Sequence, residues 1–383
     1  MIKFLALLLT PIFLVAIEFK VATYNVENLF DAKKSGYEYK EYAPNSKSGW
    51  NDKMFSIKIK HIAQVIKDID ADIISLQEIE NKEVLKRLSL ALGEKKYPYM
   101  YSSFKTKGID VVLLSRFPIK EHNSYNIQKR FRPIHRVVVA IDGLHVTLLM
   151  NHWPSYRHTL KTRMKFATKL QKLYKKEKNY ILLGDFNSPL VKDEKGWGAE
   201  VELVSKNNHN LWFDTPFNDR YSYKFYKIKN AIDHIIVSKF MFERYIDGSF
   251  DVHKFKYLVD KYGNAKRWQI SNKGRGKHLG RGYSDHFAIS AIFTTKKQKI
   301  VNPKKVDIKE LLKKDGRVNF ILNDVMVIDK SKYGVTIEDK NRDKIYIFRP
   351  DFKLEVGEIY TLHVKELAIY KGKKEIVLLE INY

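Results

Sequence analysis

Gly282-Tyr283-Ser284-Asp285-His286 stands just before an apolar run, Ala288 to Phe293, and sets a carboxylate beside an imidazole where a strand begins. Five other short polar sites repeat the theme. Asn25, Glu78, His152, Asp185 with Asn187, and Asp233 each sit where a hydrophobic run stops or is interrupted. Strand ends are where a rigid sheet can hold several polar groups around one point. Asn and carboxylate oxygens suit a hard cation such as magnesium, and a His beside a second carboxylate suits proton transfer. Together these sites predict metal-assisted hydrolysis of a phosphodiester.

The surrounding pattern alternates strands and helices. Phe19 to Tyr24 reads as a strand, and Phe55, Ile59, Ile62, Ala63, Ile66 and Ile69 mark one helix face. Ile73 to Gln77 reads as a strand, and a helix carrying Val84, Leu85, Leu88, Ala91 and Leu92 stops at Gly93. Val111 to Leu114, Arg136 to Ile141, His145 to Met150, Tyr180 to Leu183, His234 to Val237 and Ala288 to Phe293 are further strands. Leu160 to Tyr174 is an amphipathic helix with a basic outer face. This order predicts a mixed-sheet α/β sandwich over residues 17–294. Residues 295–309, basic and polar with Pro303, read as a linker. Beyond it the period becomes two, as in Val318-Phe320-Leu322, Val335-Ile337 and Ile345-Ile347, which predicts a small all-β barrel over 310–383.

The chain has 383 residues and a formal charge of +26, a field that points to polyanions, nucleic acid before acidic membrane. AT-rich bacterial composition explains many lysines but not their clustering. From Tyr262 to Ser284 there are six Lys/Arg and no acid, and from His158 to Lys178 eight Lys/Arg and one acid. The barrel segment is nearly balanced, with 17 Lys/Arg against 14 Asp/Glu over 300–383. With no cysteine, disulfides, thiol catalysis and Cys-based zinc sites are excluded. Lys3 followed by the uncharged stretch Phe4 to Ile17 reads as a signal peptide over 1–16, too short to span a bilayer. The expectation is a secreted or periplasmic bacterial protein with no stable membrane anchor after cleavage.

Asn25, Gln77-Glu78, Gly108-Ile109-Asp110-Val111, Asn151-His152-Trp153-Pro154, Gly184-Asp185-Phe186-Asn187, Ile232-Asp233-His234 and Ser284-Asp285-His286 occur in that order. In order and spacing they resemble the endonuclease/exonuclease/phosphatase superfamily, the DNase I-like proteins, over residues 19 to about 293. The resemblance implies a four-layer α/β sandwich of two mixed, mainly antiparallel sheets. It implies Glu78 and Asn25 as metal ligands with Asp285 close by, the cation being Mg2+, with Mn2+ or Ca2+ as substitutes. Asp233 would orient His286 as a proton-transferring dyad, while Asp185 and Asn187 would hold the attacking water and a phosphate oxygen. His152 resembles a second proton-transferring histidine, Asp110 its acidic partner, and Arg136 an arginine that grips phosphate. Which group acts as base stays open, because Asp185 competes with His286. The C-terminal segment resembles an OB-fold barrel, on which Tyr333, Tyr346, Phe348 and Tyr370 would stack unpaired bases or simply pack.

The expected function is a divalent-metal-dependent endonuclease cleaving DNA, with RNA as a further substrate, and with little sequence selectivity. A phospholipid (sphingomyelin-type) phosphodiesterase and a non-enzymatic nucleic-acid-binding protein are the alternatives. The lipid reading is disfavoured because the sequence shows no obvious aromatic-aliphatic hairpin for membrane insertion. The basic segment Lys261 to Arg281 is expected at the mouth of the site, with Arg275, Lys277 and Arg281 gripping nucleic acid and Trp268 either in a groove or anchoring the segment.

Overall fold

The computed structural model describes residues 16–104, 108–299 and 301–381. The expected leader thus lies outside the described residues except for Ala16. Among the described residues, no helix is long and apolar enough to cross a membrane.

Two six-stranded sheets form the larger unit. In the first, Glu18–Leu29 is flanked by Ile289–Thr294 (antiparallel) and Ile73–Ile79 (parallel), with Asp110–Ser115, Tyr99–Tyr101 and Asp251–Val252 outside them. In the second, Leu144–His152 and Tyr180–Asp185 run parallel at the centre; Ile134–Ile141, Ile119–Tyr125, Asp233–Val237 and His209–Asn210 complete it. Alternation along each strand divides the side chains. Phe19, Val21, Val146, Leu148, Met150, Ile181, Leu183, Ile235 and Val237 fill the space between the sheets. The opposite faces are covered by helices. Asp52–Ile69 packs Ile59, Ile62 and Ile66 onto the first sheet, and Leu160–Tyr174 packs Phe166 and Leu170 onto the second. The four layers expected from sequence are these.

Inner-face parity places the site. The buried series 19, 21 and 23 continues to Asn25; 146, 148 and 150 to His152; 181 and 183 to Asp185; 237 and 235 to Asp233. Each polar residue is the next step of an apolar row, so all four converge at one end of the space between the sheets.

The C-terminal unit is a closed five-stranded barrel. Gly316–Ser331 pairs with Gly334–Glu338, then come Lys344–Phe348, Lys373–Ile381 and Ile359–Tyr370, which returns to Gly316–Ser331. The expected linker is partly structured. Lys304–Val306 pairs with Phe320 to Leu322, and Ile308 and Leu311 of a short helix are buried in the barrel core. The barrel unit therefore begins before residue 310. Arg220 grips Asp351 with both terminal nitrogens, one at 2.7 Å, and Arg317 meets Asp214 at 3.1 Å, which ties the two units together.

Candidate active site

The open end of the sandwich carries a cleft of about 590 Å³ bordered by Asn25, Glu78, His152, Asp185, Asn187, Asp285 and His286. His286 Nδ1 lies 2.7 Å from Asp233 Oδ2. Burial opposes a charge on this imidazole, but Asp233 first, then Asp285 and Asp185, outweigh it and hold its pKa well above the usual histidine value. Ser284 fixes the turn that presents it: the hydroxyl donates to Asn25 O at 2.6 Å and accepts from His286 N at 3.1 Å. Gly282 has φ +88°, and a Cβ there would sit 1.9 Å from Arg267 O, so only glycine lets the turn lie this close.

Asp185 Oδ1 accepts from Asn187 N at 2.7 Å, and its Oδ2 from Asn25 Nδ2 at 3.0 Å and Asn187 Nδ2 at 3.2 Å. Burial, together with the charge of Asp233, raises its pKa to about 7. Gly184 precedes it because a Cβ would lie 2.0 Å from Asn151 O on the neighbouring strand. His152 Nε2 is 3.6 Å from both Glu78 Oε1 and Asp185 Oδ2. Burial, reinforced by Arg132 and His286, pushes its pKa well below the usual value, so this imidazole is neutral.

Parity alone would turn Glu78 away from the cleft. A break in register between Gln77 and Ile79 and φ +72° at Glu78 turn it back, as bulges beside active sites do. Its Oε1 accepts from Asn25 Nδ2 at 3.0 Å and its Oε2 from Asn28 N at 2.7 Å. Asn25 thus offers its amide nitrogen to two carboxylates, while its oxygen accepts from Glu27 N at 3.0 Å.

Two cleft residues, Glu27 and Arg132, have no place among the sequence expectations. Glu27, on a second bulge with φ +53°, accepts from Arg267 at 2.5 and 3.0 Å and from Trp268 N at 2.9 Å. Burial and Asp285 raise its pKa to about 7, against the pull of Arg267 and Lys58. Arg132 borders the cleft beside His152, and its buried Nε has no hydrogen-bond partner among the described residues. Glu27 could have been found two residues beyond Asn25; Arg132 and Arg267 lie in loops without a periodic signal.

Two expectations are corrected. Asp110 does not partner His152, whose Nδ1 has no hydrogen-bond partner among the described residues. Asp110 instead faces His135 Nε2 at 3.0 Å, and His135 Nδ1 meets Ser124 at 2.8 Å, a buried bridge between the sheets. Arg136 is one step out of parity with the inner row His135, Val137, Val139. It therefore points away from the cleft, to Glu177 at 2.6 Å and Glu121 at 2.9 Å. In the basic segment, Trp268 is an anchor, buried with Nε1 donating to His278 Nδ1 at 2.8 Å. Arg275, Lys277 and Arg281 are exposed and do not line the cleft.

The donor set fits a hard divalent cation. The carboxylates of Asp185 and Asp233 have oxygens within 4.8 Å of each other, and the buried Asp233 Oδ1 has no hydrogen-bond partner among the described residues, so carboxylates rather than the charged His286 would hold the ion. Carboxylates of Glu78, Glu27 and Asp285 border the same cleft.

A family profile described as the Endonuclease/Exonuclease/phosphatase family matches residues 20–296. The chain belongs to this family, one of phosphoester-cleaving enzymes by its name. No curated protein matches the sequence. Among solved structures, the chain is similar to TDP2 from Caenorhabditis elegans, with 18% identity, 72% of this chain and 74% of that one covered, and TM-score 0.49. It is also similar to a family protein from Bacteroides thetaiotaomicron, with 17% identity, coverage of 74% and 99%, and TM-score 0.46. An AP endonuclease from Archaeoglobus fulgidus shows 14% identity, coverage of 72% and 99%, and TM-score 0.47.

Proposed function

We propose that the chain is a divalent-metal-dependent endonuclease, secreted or periplasmic, that hydrolyses DNA with little sequence selectivity. The observation that supports this most is the convergence of Asp185, Asp233, His286 and Glu78 in one open cleft whose rim carries Arg132 and Arg157, with Arg267 3.7 Å from Asp285 behind it. A bound cation, Mg2+ in this reading, would be held by Glu78 with the neighbouring carboxylates and would supply positive charge to the phosphate oxygens. The protein's own groups do the rest. Asp185, poised near neutrality, accepts the proton of the attacking water, and Asn187 orients that water. Asp233 holds His286 charged and aimed, so that its Nε2 proton can serve the departing oxygen. Arg132, bordering the cleft, offers its guanidinium charge to the phosphate.

DNA is favoured over a single head group by what continues from the rim. Arg157 borders the cleft, and the following helix carries Lys161, Lys165, Lys169 and Lys172 along one groove, a spacing that suits successive phosphates. Among the described residues no base-reading element accompanies it, hence the low selectivity.

One feature favours a second reading, hydrolysis of a phospholipid. Contrary to the expectation from sequence, an aromatic-aliphatic hairpin is present. Tyr223–Phe225 and Ile228–Asn230 pair, Tyr223 and Asn230 border the cleft, and Phe225, Tyr226 and Ile228 at the tip are exposed. Magnesium-dependent cleavage of plasmid, single-stranded DNA, RNA and sphingomyelin liposomes by the mature protein separates the readings. Cleavage of liposomes but not of DNA would replace the first by the second, and no cleavage of any substrate would leave a binding protein.

A further inference from the structure

The helix Asp52–Ile69 turns Phe55, Ile59, Ile62 and Ile66 inward, and among its buried residues one carries a charge, Lys58. Helical spacing puts it there, three residues after Phe55 and four before Ile62. Its side chain is fully buried, which for lysine is rare unless a partner compensates the charge. Here the partners are uncharged. The ammonium donates to Glu27 O, to Asn28 O at 3.1 Å and to the Tyr42 hydroxyl at 3.2 Å, so its three protons meet three oxygens. The rings of Tyr42 and Trp268 stand beside it, with centroids 5.1 and 5.4 Å away. Packing a helix on a sheet does not call for such a group, since an apolar residue of the same size would do so without taking a charge out of water.

What Lys58 holds is the irregular end of the first strand. Glu27 and Asn28 have φ +53° and +54°, a left-handed conformation that L-residues adopt singly and seldom in succession. The pairing with Ile73–Ile79 shifts register between Asn25 and Leu29, so the ladder does not fix these two peptides. Their carbonyls reach back to Lys58, Asn28 O taking a further bond from Phe30 N at 3.2 Å. Their amides reach the other way: Glu27 N donates to Asn25 Oδ1 at 3.0 Å, and Asn28 N to Glu78 Oε2 at 2.7 Å. The bulge thus has two sides. One is seated on a buried ammonium, and the other orients the amide and the carboxylate expected at the cation.

We infer that Lys58 is a positioning residue of the cation site, holding the Glu27–Asn28 bulge in the form that aims Glu78 into the cleft. The inference rests on the reading that Glu78 holds the cation, and it adds the group that keeps Glu78 in place. Lys58 does not border the cleft, so it acts through the bulge and not on substrate. Without its ammonium, two carbonyls lose a buried donor, and the paired left-handed residues lose what seats them. Relaxation of either residue toward ordinary strand geometry withdraws Asn28 N from Glu78 Oε2. Groups that orient a metal-binding carboxylate from behind typically govern affinity for the ion by about 10–100-fold.

The test is Mn2+ binding to the full chain without substrate, followed by the electron spin resonance of the free ion. Lys58→Met nearly keeps the length of the side chain and removes its donors, and it should weaken Mn2+ binding by about 10–100-fold. Lys58→Gln, whose amide keeps two donors on a shorter stem, should fall between it and the parent. Tyr42→Phe takes one acceptor from the same ammonium but leaves the bulge, so it should bind Mn2+ within about twofold of the parent even where it melts lower. In hydrolysis of bis-nitrophenyl phosphate, Lys58→Met should need more Mg2+ for half-maximal rate and regain most of the parent rate at saturation. A lysine that merely fastened helix to sheet would lower the melting temperature and leave the Mn2+ affinity and the Mg2+ requirement of the folded protein unchanged. That result would overturn the inference, as would equal weakening in Lys58→Met and Tyr42→Phe. Should Lys58→Met fail to fold, Lys58→Gln decides on the same two readings. Parent protein that binds no Mn2+, or Glu78→Gln that binds it as the parent does, would overturn the metal reading and this inference with it. A loss in Glu78→Gln beside unchanged affinity in Lys58→Met would overturn the inference alone.

Discussion

Two aspartate–histidine pairs sit in the same sandwich with opposite fates. Asp110 and His135 are 3.0 Å apart and fully buried. Every direction around them is used: Ser102 and Ser103 donate to Asp110, as does the Val111 amide, and Ser124 meets the other ring nitrogen. Asp233 and His286 are 2.7 Å apart at the mouth of the cleft, yet Asp233 Oδ1 has no hydrogen-bond partner among the described residues and Asp285 and Asp185 crowd the imidazole with further negative charge. The first pair is satisfied and closed, so it fastens the two sheets. The second is left incomplete at an opening, and incompleteness at an opening marks a group kept for a ligand.

The contrast is sharpest in turnover. His286→Ala should lower DNA cleavage by about 10²–10⁴-fold with the fold intact, whereas His135→Ala should leave the folded fraction active. Steady-state cleavage with melting curves on both variants checks this, and comparable activity losses in folded protein would erase the distinction. In stability the order reverses. Removing His135 leaves Asp110 buried without its strongest partner and should cost about 3–5 kcal/mol in urea unfolding, against a much smaller change for His286→Ala.

A similar contrast separates two arginines four residues apart. Arg132→Ala should raise KM or lower kcat about tenfold, because it faces the cleft. Arg136→Ala should leave kinetics unchanged and cost about 1 kcal/mol, since it only joins Glu121 and Glu177. Equal kinetic effects would restore Arg136 as a phosphate ligand.

Asp185 supplies a pH test. Its folded pKa is raised to about 7, above the unfolded value of about 3.9. The protonated form is therefore favoured by folding, and this stabilisation is complete below about pH 4 and is lost as pH rises through about 7. Asp185→Asn, measured in EDTA, should flatten that decline and be more stable than the parent at pH 8 while losing turnover. An unchanged stability profile between pH 5 and 8 would contradict the raised pKa. The smallest effect is expected from Arg275, Lys277 and Arg281 changed together to Ala, which should alter DNA binding less than Arg267→Ala does, because of the four only Arg267 contacts cleft carboxylates, Glu27 at 2.5 Å and Asp285 at 3.7 Å.

Sequence revealed the parts of the site that obey the sheet's own period. Asn25, His152, Asp185 and Asp233 each extend an apolar row, so a reader counting by two meets them on the inner face. Glu27 falls on the same count, two residues beyond Asn25, but is placed by more than the period. Its orientation depends on a bulge with positive φ, which nothing in the local pattern announces. Glu78 lay in a recognisable Gln-Glu string, although parity alone would have sent it outward. Arg136 was misplaced for the reverse reason: its strand was read correctly, but which face holds Arg136 follows from its buried neighbours Val137 and Val139. Asp110 went to the wrong histidine because its partner is set by how the two sheets face each other, a relation no single strand encodes. The barrel was legible from its period of two. The single helical turn carrying Ile308 and Leu311 was too short to show a period of its own.

The strand Ile289–Thr294 pairs with Glu18–Leu29, placing residues nearly 280 positions apart in register, from Glu18 opposite Thr294 to Thr23 opposite Ile289. Ser284 then fastens the His286 turn to Asn25 on that first strand. During synthesis the opening strand must wait, with one edge unpaired, until almost three hundred residues have followed. A nascent or truncated chain ending before that point lacks His286 and the strand that seats it. The cell that makes the protein is therefore not exposed to an assembled cleft until the growing chain has completed its sandwich.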